Sequence, residues 1–414
     1  MARTDVIVLG AGIVGTSIAL QLARRGRSVA LIDRKPPGEE TSYGNAGIIE
    51  GNTIFPPTFP ADLPDLLSVI FKRAASANYH FSFLPNVLPW INAFRLAGSP
   101  AKLAEHARLI RPLFGAAVAE HETLMNESGA TRYLRKTGWL KVYRNEKTVE
   151  RLAPERKIAA DFGIAPEVLA PEEALALEPS LNPVFRRGIY WRAAASISNP
   201  LAVTQAYAAR FSALGGVMIN GDALSLHRNG GRWRVETHEG PIDAEQAVVA
   251  LGPWAPDLLA PMGLKFPMSL KRGYHRHFRA KGNATLARPI LDADVGYSLT
   301  PMEQGFRVTT GAEFAARDAL PTPVQFDLIV PKARELFPLG ERADDKTWLG
   351  ARPCFPDSRP IIDRAPGQAG LWLAIGHAHW GLTLGPVTGR LIADMMAGQM
   401  PFVDPAPYRA MRFS

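Results

Sequence analysis

The amino-acid sequence predicts an α/β protein with a second, α+β part that is built on an antiparallel sheet. Three observations predict this fold class. The chain starts with a strand, a glycine-rich turn, a helix and a second strand, and near its end another apolar strand leads through a glycine-rich loop into a helix. Between them, residues 266–315 contain several strand-like runs divided by Gly and Pro, which is typical of antiparallel sheets. We expect the two α/β parts to form one unit into which the antiparallel part is inserted.

Residues 5–33 have the pattern of a dinucleotide-binding unit. The apolar strand at residues 5–9 runs directly into a glycine-rich turn, and the second strand ends at Asp33, 23 residues after Gly10. Gly10 permits the tight turn, Gly12 lets the backbone approach a pyrophosphate, and Gly15 lets the helix pack against the strand. The helix N-terminus offers N–H groups to phosphates, and Asp33 can accept hydrogen bonds from ribose hydroxyls, which disfavours NADP. The pattern does not distinguish FAD from NAD.

The later elements are predicted from periodicity and from helix-start signals. We predict helices over residues 101–128, 171–178, 199–214 and 383–396, and strands over residues 139–143, 217–219, 247–251 and 371–375. Pro386 is expected in the first turn of the last helix, where a missing N–H costs little.

Composition and charge narrow the classes of function. With 414 residues the chain is long enough for two or three domains of about 150 residues each. Hydrophobic residues at 47% and charged residues at 21% exclude a disordered chain and a coiled coil. The net charge is +8, but the densest basic cluster, residues 271–281, carries no nucleic-acid-binding motif. We therefore expect these charges to meet an anionic substrate, an anionic cofactor or a membrane surface, and no nucleic acid.

Cysteine usage and hydropathy predict the compartment. Cys354 is the single cysteine, which excludes an intramolecular disulfide, and no His or Cys spacing is typical of a zinc site. The apolar run at residues 6–9 is too short for a signal peptide. The uncharged stretches 74–94 and 365–389 are interrupted by Pro, Asn or Gly, so neither predicts a membrane span. We expect a cytoplasmic protein without a bound metal.

Five motifs, spread in order along nearly the whole chain, suggest a family. They are Val6–Gly15 with Asp33, Thr41-Ser-Tyr-Gly-Asn-Ala-Gly47, Ala250-Leu-Gly-Pro-Trp254, Gly350-Ala-Arg-Pro353 with Pro356-Asp357 and Pro360–Asp363, and Gly376-His377 with Gly381. With these motifs the sequence resembles the FAD-dependent D-amino-acid dehydrogenases and glycine oxidases of the D-amino-acid oxidase superfamily.

The resemblance implies a fold, a domain division and a cofactor. It implies a glutathione-reductase-like FAD-binding Rossmann domain formed by residues 1–55, 145–262 and 345–414, and an inserted antiparallel-sheet substrate domain formed by residues 56–144 and 263–344. FAD is expected to bind non-covalently, because Cys354 lies closer to Pro356 than the covalent cysteine of sarcosine oxidases does. The implied cofactor-binding residues are Gly10, Gly12, Ile13, Val14, Gly15, Asp33, Arg34, Thr41, Ser42, Asn45, Ala46, Gly47, Ala223, Ala250, Gly252, Trp254, Gly376, His377, Gly381, Leu382 and Thr383.

The resemblance also implies oxidative deamination of a D-amino acid. A hydride would move from the α-carbon to flavin N5, water would hydrolyse the imino acid, and the electrons would pass to a quinone or another acceptor. Two alternatives stay open at this point. One is a glycine- or sarcosine-type oxidase that uses oxygen, and the other is the flavoprotein subunit of a heteromeric D-hydroxyproline-type dehydrogenase.

Arg352 is the candidate that binds the substrate carboxylate, because its planar guanidinium can donate two hydrogen bonds and is always charged. The resemblance implies that the Tyr297 hydroxyl contacts the same carboxylate and that Phe314 forms an apolar wall near the substrate side chain. The alternative for Arg352 is a structural arginine beside a proline turn. The alternative for the two aromatic residues is an ordinary place in the core.

His379 stands where similar glycine oxidases carry an arginine, so a second cationic anchor is in doubt. Tyr274 and His275 are candidates for gating the substrate pocket or tuning its preference, the alternative being an exposed strand face. His377 is expected to be a structural hydrogen-bonding residue.

Residues 55–97 are rich in aromatic residues and proline, with Lys72 and Arg73 adjacent. This region resembles one that D-amino-acid dehydrogenases carry, and it suggests peripheral contact with the inner face of the cell membrane. The alternative is an ordinary helix and loops of the substrate domain.

Overall fold

The structure is a computed structural model, and it describes residues 2–51, 55, 63–164 and 166–413 of the chain. Within these residues the helices are α1 (Ile13–Ala23), α2 (Leu63–Ile70), α3 (Leu84–Ala97), α4 (Pro100–Glu127), α5 (Glu146–Arg151), α6 (Ala153–Asp161), α7 (Pro171–Leu177), α8 (Pro200–Ala213), α9 (Ala255–Leu259), α10 (Gln325–Leu336) and α11 (Gly381–Met396). The strands are β1 (Ala2–Leu9), β2 (Val29–Asp33), β3 (Ile48–Ile49), β4 (Ala77–Tyr79), β5 (Leu134–Arg135), β6 (Trp139–Tyr143), β7 (Glu167–Leu169), β8 (Arg187–Trp191), β9 (Ala195–Ile197), β10 (Val217–Asn229), β11 (Arg232–Thr237), β12 (Ile242–Val249), β13 (Ser269–Ala280), β14 (Ile290–Asp292), β15 (Tyr297–Met302), β16 (Gly305–Thr309), β17 (Ala312–Phe314), β18 (Leu339–Arg342), β19 (Trp348–Cys354), β20 (Ile361–Arg364) and β21 (Leu371–Ile375).

The predicted helices and strands are present, but two strand ends differ clearly: β10 continues to Asn229, far beyond the predicted 217–219, and β12 begins at Ile242 instead of residue 247. The start of α8 shows why helix-start signals worked: the Asn199 side chain accepts a hydrogen bond from the Ala202 N–H at 3.0 Å and so caps the helix. The predicted antiparallel material between residues 266 and 315 is also confirmed, since β13 pairs antiparallel with both β16 and β17.

The first sheet has a parallel centre. The strands β10, β2, β1, β12 and β21 lie side by side in this order, all parallel. The strand β11 pairs antiparallel with both β10 and β12, and β20 pairs antiparallel with β21. The residues of β1 from Val6 to Leu9 are fully buried, as expected for a central strand that is covered on both faces.

Close packing of α1 on α11 brings the two ends of the chain together. A Cβ atom added at Gly389 of α11 would lie 2.7 Å from the Ser17 backbone, and one added at Gly385 would lie 3.1 Å from Ile13. The two glycines therefore let α11 lie directly on α1. This contact places the N-terminal end of α11 beside the glycine-rich turn that follows β1.

The last helix starts earlier than predicted, which changes the position of Pro386 within it. Because α11 begins at Gly381, Pro386 lies in its second turn and not in the first. A proline there leaves the carbonyl four residues earlier without its helical donor. That carbonyl, Leu382 O, accepts a hydrogen bond of 2.7 Å from His121 Nε2 on α4 instead. Burial lowers the pKa of His121 to about 4, so the ring is neutral at pH 7.

The second sheet is centred on β13, which pairs antiparallel with β16, β17, β18 and β19. From β16 the sheet continues through β15, β14, β6 and β8 to β7. Alternate residues of β13 face opposite sides of the sheet. Tyr274 packs into the apolar core of this part of the molecule, and Lys271 faces a cavity.

The mixed α/β fold class is confirmed, whereas the glutathione-reductase-like description and the domain division stay predictions. Strand pairing departs from the predicted boundaries in two places. The strands β7 and β8, which were assigned to the FAD-binding domain, pair with the second sheet through β6, and β19 pairs with β13. Sequence order alone does not reveal such pairings between distant segments. Among the described residues, no helix is long and apolar enough to span a membrane.

Candidate active site

A cleft lies at the carboxyl edge of the parallel sheet, where ligands of open α/β sheets usually bind. It is formed where β1, β2, β12 and β21 end and where β10 leaves the parallel pairing. The lining residues are Gly10, Gly12, Ile13, Val14, Asp33, Arg34, Glu40, Thr41, Ser42, Gly221, Asp222, Ala223, Leu224, Ala250, Leu251, Gly252, Pro253, Trp254, Pro353, Ala374, His377, Ala378 and Gly381.

The glycine-rich turn has the geometry that its glycines allow. Gly10 has φ of 101°, and a Cβ atom there would lie 2.5 Å from the Ala250 carbonyl oxygen. A Cβ atom at Gly15 would lie 1.8 Å from Gly10 O. Gly15 does not line the cleft. Its role is to let α1 approach the turn.

Polar groups surround the start of α1. Asp33 Oδ2 accepts a hydrogen bond from the Ala11 N–H at 2.6 Å, and Asp33 Oδ1 accepts one from Lys35 N–H at 3.0 Å. Because a carboxylate offers about four acceptor sites, Asp33 retains capacity for ribose hydroxyls. Ser42 Oγ accepts a hydrogen bond from the Ile13 N–H at 2.9 Å, which ties the 41–47 loop to the helix start.

The loop of residues 41–47 is held in shape from both sides. Asn45 donates to Ser42 O at 2.6 Å and accepts from the Gly47 N–H at 2.8 Å. Arg307, on β16 of the second sheet, donates to the carbonyls of Tyr43 and Asn45 at 2.9 and 2.8 Å. Gly47 has φ of 69°, and a Cβ there would lie 2.4 Å from Ile197 O. These contacts hold the loop in one conformation. The loop separates the cleft from a second, larger cavity.

A larger cavity of about 520 Å³ lies between the two sheets. Its polar and charged lining residues are Asn45, Glu50, Ser76, Lys141, Tyr143, Glu155, Arg156, Lys271, Tyr297, Ser298, Thr309, Thr310, Arg352, Cys354 and His379. Its walls also include Trp139, Ile189, Trp191, Leu291 and Leu382. A smaller cavity connects the two spaces: it shares Thr41, Ser42 and Gly381 with the cleft and Asn45, Arg352 and His379 with the larger cavity.

Arg352 stands where the cleft opens into the larger cavity. Its guanidinium donates to three backbone carbonyls, of Gly311 at 3.2 Å, Thr310 at 3.4 Å and Arg272 at 3.5 Å. Among the described residues, no carboxylate lies within ion-pair distance of it. Burial lowers the pKa of Arg352 from its ordinary value, but an arginine keeps its charge. An uncompensated cation in a cavity wall is suited to bind an anion.

His379 lines the same cavity as a neutral ring. Burial is the main cause that lowers its pKa to about 3, and the positive charges of Arg352, Lys271 and Lys141 lower it further. It therefore does not replace the cationic anchor that similar glycine oxidases carry at this position. Lys271, which the sequence places in a basic cluster, lines the same cavity.

The other predicted substrate residues have different environments. Tyr297 is packed into the core of the second sheet, where Asp292 and Arg144 act on its hydroxyl. Because side chains alternate along β15, the next residue, Ser298, points to the cavity face. Tyr274 also faces the core and donates to Glu313 Oε2 at 2.7 Å. The Tyr274 hydroxyl is therefore not placed for a substrate that binds Arg352, whereas Tyr297 also lines the cavity, so its contact with the substrate carboxylate stays a prediction.

Phe314 and His275 lie near the cavity without lining it. Phe314 packs against Trp90 and Cys354 in a small apolar cluster behind the wall. His275 stacks on Trp348 with ring centroids 4.9 Å apart, and its pKa is lowered to about 2, mainly by burial. The His275 ring also contacts the loop of residues 41–47, with Nδ1 at 3.4 Å from Gly44 O.

The predicted cofactor residues line the cleft or the cavity with three exceptions. Besides Gly15, these are Gly376, where an added Cβ would overlap the Phe355 ring at 2.1 Å, and Thr383, whose hydroxyl donates to Ile48 O at 3.2 Å. His377 lines the cleft, and its Nε2 lies 3.0 Å from Thr388 Oγ1, while burial lowers its pKa to about 3. The ring is neutral and structurally bonded.

Several lining residues were not predicted from the sequence. Glu40 and Ala378 line the cleft, and Lys141, Ser298 and Lys271 line the larger cavity. Lys271 lies on the same face of β13 as His275, so strand alternation counted from His275 is a signal that would have pointed to Lys271. Lys141 lies on a strand that pairs with distant segments, so nothing local in the sequence indicates its place.

The residues present fit FAD. Gly12 leaves open the space at the start of α1, since a Cβ there would approach Ser42 Oγ at 3.1 Å. The Ile13 N–H is bonded to Ser42 Oγ, whereas the N–H groups that follow it in the first turn of α1 have no helical acceptor and can meet a pyrophosphate. Asp33 lines the same cleft and can accept hydrogen bonds from ribose hydroxyls, and the Arg34 guanidinium stacks on the Trp254 ring at 4.6 Å. The connected cleft and cavity provide an elongated space for a dinucleotide.

Comparisons with known proteins agree with this assignment. The family model described as FAD dependent oxidoreductase, named DAO, matches residues 5–395. The chain is 29% identical to a D-amino-acid oxidase of Bradyrhizobium diazoefficiens, over 99% of this chain and 98% of that protein. It is 31% identical to a D-amino acid dehydrogenase of Paramagnetospirillum magneticum, over 95% of both chains.

A solved structure shows the same fold. The glycine oxidase of Geobacillus kaustophilus superposes with a TM-score of 0.76 and 22% identity, covering 100% of this chain and 99% of that one. The family model spans most of the chain, and the dinucleotide cleft lies within the matched residues. The chain therefore belongs to the DAO family of FAD-dependent oxidoreductases.

Proposed function

We propose that this protein catalyses the oxidative deamination of a D-amino acid, with non-covalent FAD as the hydride acceptor and a quinone or another compound as the final electron acceptor. The observation that carries the proposal is Arg352, a cation without a carboxylate partner among the described residues, at the opening from the dinucleotide cleft into the cavity. An α-carboxylate is the substrate group that this guanidinium is suited to bind.

The chain's own residues would position the substrate. Two N–H groups of Arg352 would hold the carboxylate, while Ser298 offers a hydroxyl in the same cavity. FAD, when bound, accepts the hydride that leaves the α-carbon. Neutral His379 adds no competing positive charge beside the substrate amine. The walls formed by Trp139, Trp191 and Leu291 would exclude bulk water.

The names of similar proteins support a substrate of D configuration. Two alternative functions are to be tested beside it. The relatives of 29% and 31% identity are named D-amino-acid oxidase and D-amino acid dehydrogenase, and one of 27% identity is named glycine oxidase. A glycine- or sarcosine-type oxidase would use oxygen as the acceptor. The flavoprotein subunit of a heteromeric dehydrogenase would bind FAD but need a partner for turnover.

One anaerobic experiment tests the proposal and separates these readings. Purified holoenzyme is titrated with paired D- and L-amino acids while the visible absorbance of the flavin is followed. We expect D-amino acids to bleach the flavin and their L enantiomers, the matched controls, to leave it coloured. Bleaching by L enantiomers alone, or by no amino acid, would contradict the proposal.

Admission of air then identifies the acceptor. Slow return of colour that a soluble quinone accelerates is the expected result for a dehydrogenase. Rapid return of colour with formation of peroxide would instead support the oxygen-using oxidase.

We also propose peripheral contact with an anionic membrane through the segment that contains α2 and α3. Of this aromatic- and proline-rich region, residues 56–62, including Phe59, lie outside the described residues. The segment exposes Phe71 at 63%, Phe81 at 70% and Leu88 at 55% of their surface. Lys72 and Arg73 lie among them, and each basic residue near an anionic surface adds about 1 kcal/mol of attraction.

Vesicle co-sedimentation at low salt tests this contact. We expect the protein to sediment with anionic vesicles and not with neutral ones, and Phe71→Ser with Phe81→Ser to weaken sedimentation. Leu320→Ser changes a side chain that is 83% exposed elsewhere and serves as the control. Equal sedimentation of both variants would rule out this surface as the contact.

A further inference from the structure

Two cations enter the larger cavity from neighbouring strands. Arg352 of β19 and Lys271 of β13 are direct partners in the antiparallel register, so their side chains leave the same face of the sheet. Both line the cavity. Arg352 has its role in the proposed function, whereas Lys271 has none so far.

The two charged groups lean apart. A Cβ atom added at Gly273 would lie 2.5 Å from the Arg352 guanidinium, which therefore lies over Gly273, roughly 7 Å along β13 from Lys271. The Lys271 ammonium lies 3.9 Å from the centroid of the Phe94 ring and 5.0 Å from that of Trp90. Trp90 in turn donates to Cys354 O at 3.1 Å, at the opposite end of the strand pair. The guanidinium of Arg352 and the ammonium of Lys271 therefore lie at two separate positions.

Neither charge is neutralised by the described part of the protein. No carboxylate lies within ion-pair distance of Lys271 there, and the titratable groups that shift its pKa are Cys354, a buried thiol, and Arg352. Burial is the main cause that lowers the pKa of Lys271, and the Arg352 charge lowers it further. Lys141, by contrast, is under the influence of Glu50 and Glu155. The aromatic rings around Lys271 compensate part of the lost hydration of its ammonium, but they carry no net charge.

We propose that Lys271 binds a second carboxylate, so that the substrate is an amino dicarboxylic acid whose α-carboxylate binds Arg352. This inference rests on the proposed function and names its substrate class. An anion completes the environment of a desolvated ammonium, and two separated cations match a ligand with two carboxylates. The FAD phosphates are not that anion, since Lys271 does not line the dinucleotide cleft.

Non-reacting ligands test the second anion site without turnover. Succinate and butyrate have the same chain length and differ by one carboxylate, and their binding to the holoenzyme is followed through the flavin absorbance. We expect the wild-type protein to bind succinate roughly 30-fold or more tightly than butyrate. Lys271→Met, which keeps the length of the side chain, should abolish this difference, and Lys271→Arg should retain it.

Lys281→Met is the matched control, because Lys281 follows the same strand and is exposed. It should leave both affinities unchanged. Equal binding of succinate and butyrate by the wild type would overturn the inference. So would a loss of butyrate binding in Lys271→Met as large as the loss of succinate binding, because Lys271 would then act on the α-carboxylate.

Substrate ranking separates this inference from the proposed function. We expect D-aspartate and D-glutamate to bleach the flavin more efficiently than D-asparagine and D-glutamine, and Lys271→Met to remove that preference. If neutral D-amino acids bleach the flavin and no acidic preference exists, the proposed function stands and this inference fails. If succinate binds more tightly but no amino acid bleaches the flavin, the proposed function fails instead. Slower reoxidation in Lys271→Met with an unchanged ranking would overturn the assignment of Lys271 to the substrate.

Discussion

Replacing Arg352 with methionine separates an arginine that binds substrate from one that holds the fold together. The variant removes the charge and the hydrogen bonds while it keeps most of the side-chain length. Truncating one partner of a buried charge pair costs about 2–5 kcal/mol of binding free energy. The dissociation constant for a non-reacting carboxylate such as butyrate should therefore rise by roughly 30- to 4,000-fold.

The same substitution should barely change stability in the absence of ligand. The three hydrogen bonds that Arg352 donates are long, at 3.2 to 3.5 Å, and each contributes at most about 0.5–1.5 kcal/mol. Their loss is offset because the variant no longer holds an uncompensated charge in the cavity wall. We expect the free energy of unfolding to change by no more than about 1 kcal/mol.

Arg272→Met is the matched control on the opposite face of β13. Arg272 is fully buried and its Nη2 lies 2.8 Å from Glu313 Oε2. Removing it leaves Glu313 buried without its cation, which should cost about 3–5 kcal/mol of stability. Butyrate binding measured through the flavin absorbance, together with urea unfolding, distinguishes the two arginines. Near-normal butyrate affinity in Arg352→Met, or a loss of stability as large as that of Arg272→Met, would refute the reasoning.

Three further predictions concern the helix that contains Pro386, the histidines and the cofactor. His121→Phe leaves Leu382 O without its donor, so urea unfolding should show a loss of about 1–3 kcal/mol; His121→Gln, which keeps a donor, should recover part of it, and equal losses in both variants would contradict this account. Burial lowers the pKa of His121 to about 4 and that of His377 to about 3, so the unfolded chain binds more protons below its own pKa of 6.5. The contribution of these two histidines to the free energy of unfolding is therefore fully present above pH 6.5 and falls as the pH drops towards 4, by up to about 1.4 kcal/mol per pH unit for each histidine. A free energy of unfolding that stays constant between pH 7 and pH 5 would exclude this contribution. Acid precipitation should release the flavin into the supernatant, because Cys354 is a buried free thiol whose pKa is raised by burial, and flavin that stays in the pellet would show a covalent bond.

The positions predicted best from the sequence are those at which the backbone itself is constrained. At Gly10 the positive φ and the contact with Ala250 O admit no side chain, so the glycine is a reliable signal of the turn. Asp33 is the last residue of β2, and its distance along the chain from Gly10 is set by one helix and one strand. Arg352 was found through its motif, and it lies in the cavity wall.

The residues whose orientation could not be predicted from the sequence are on strands that pair with distant parts of the sheet. Tyr274 packs in the core of the second sheet and the adjacent His275 packs on Trp348 on the opposite face, because a single step along a strand reverses the side-chain direction. Which of two neighbours faces the cavity depends on pairing with distant segments such as β14 and β16. No local pattern reports that choice.

The strand–turn–helix unit that starts the cleft and the order of the elements could be predicted from local sequence, because glycine conformation, helix capping and hydrophobic periodicity act over a few residues. The tertiary structure alone decided which side chains meet in the larger cavity. Lys141, Lys271 and Arg352 are far apart in the chain and come to one space only when β6, β13 and β19 pair within a single sheet. The positive electrostatic potential that these three residues produce in the cavity therefore depends on long-range strand pairing, since electrostatic interactions act through space and not along the chain.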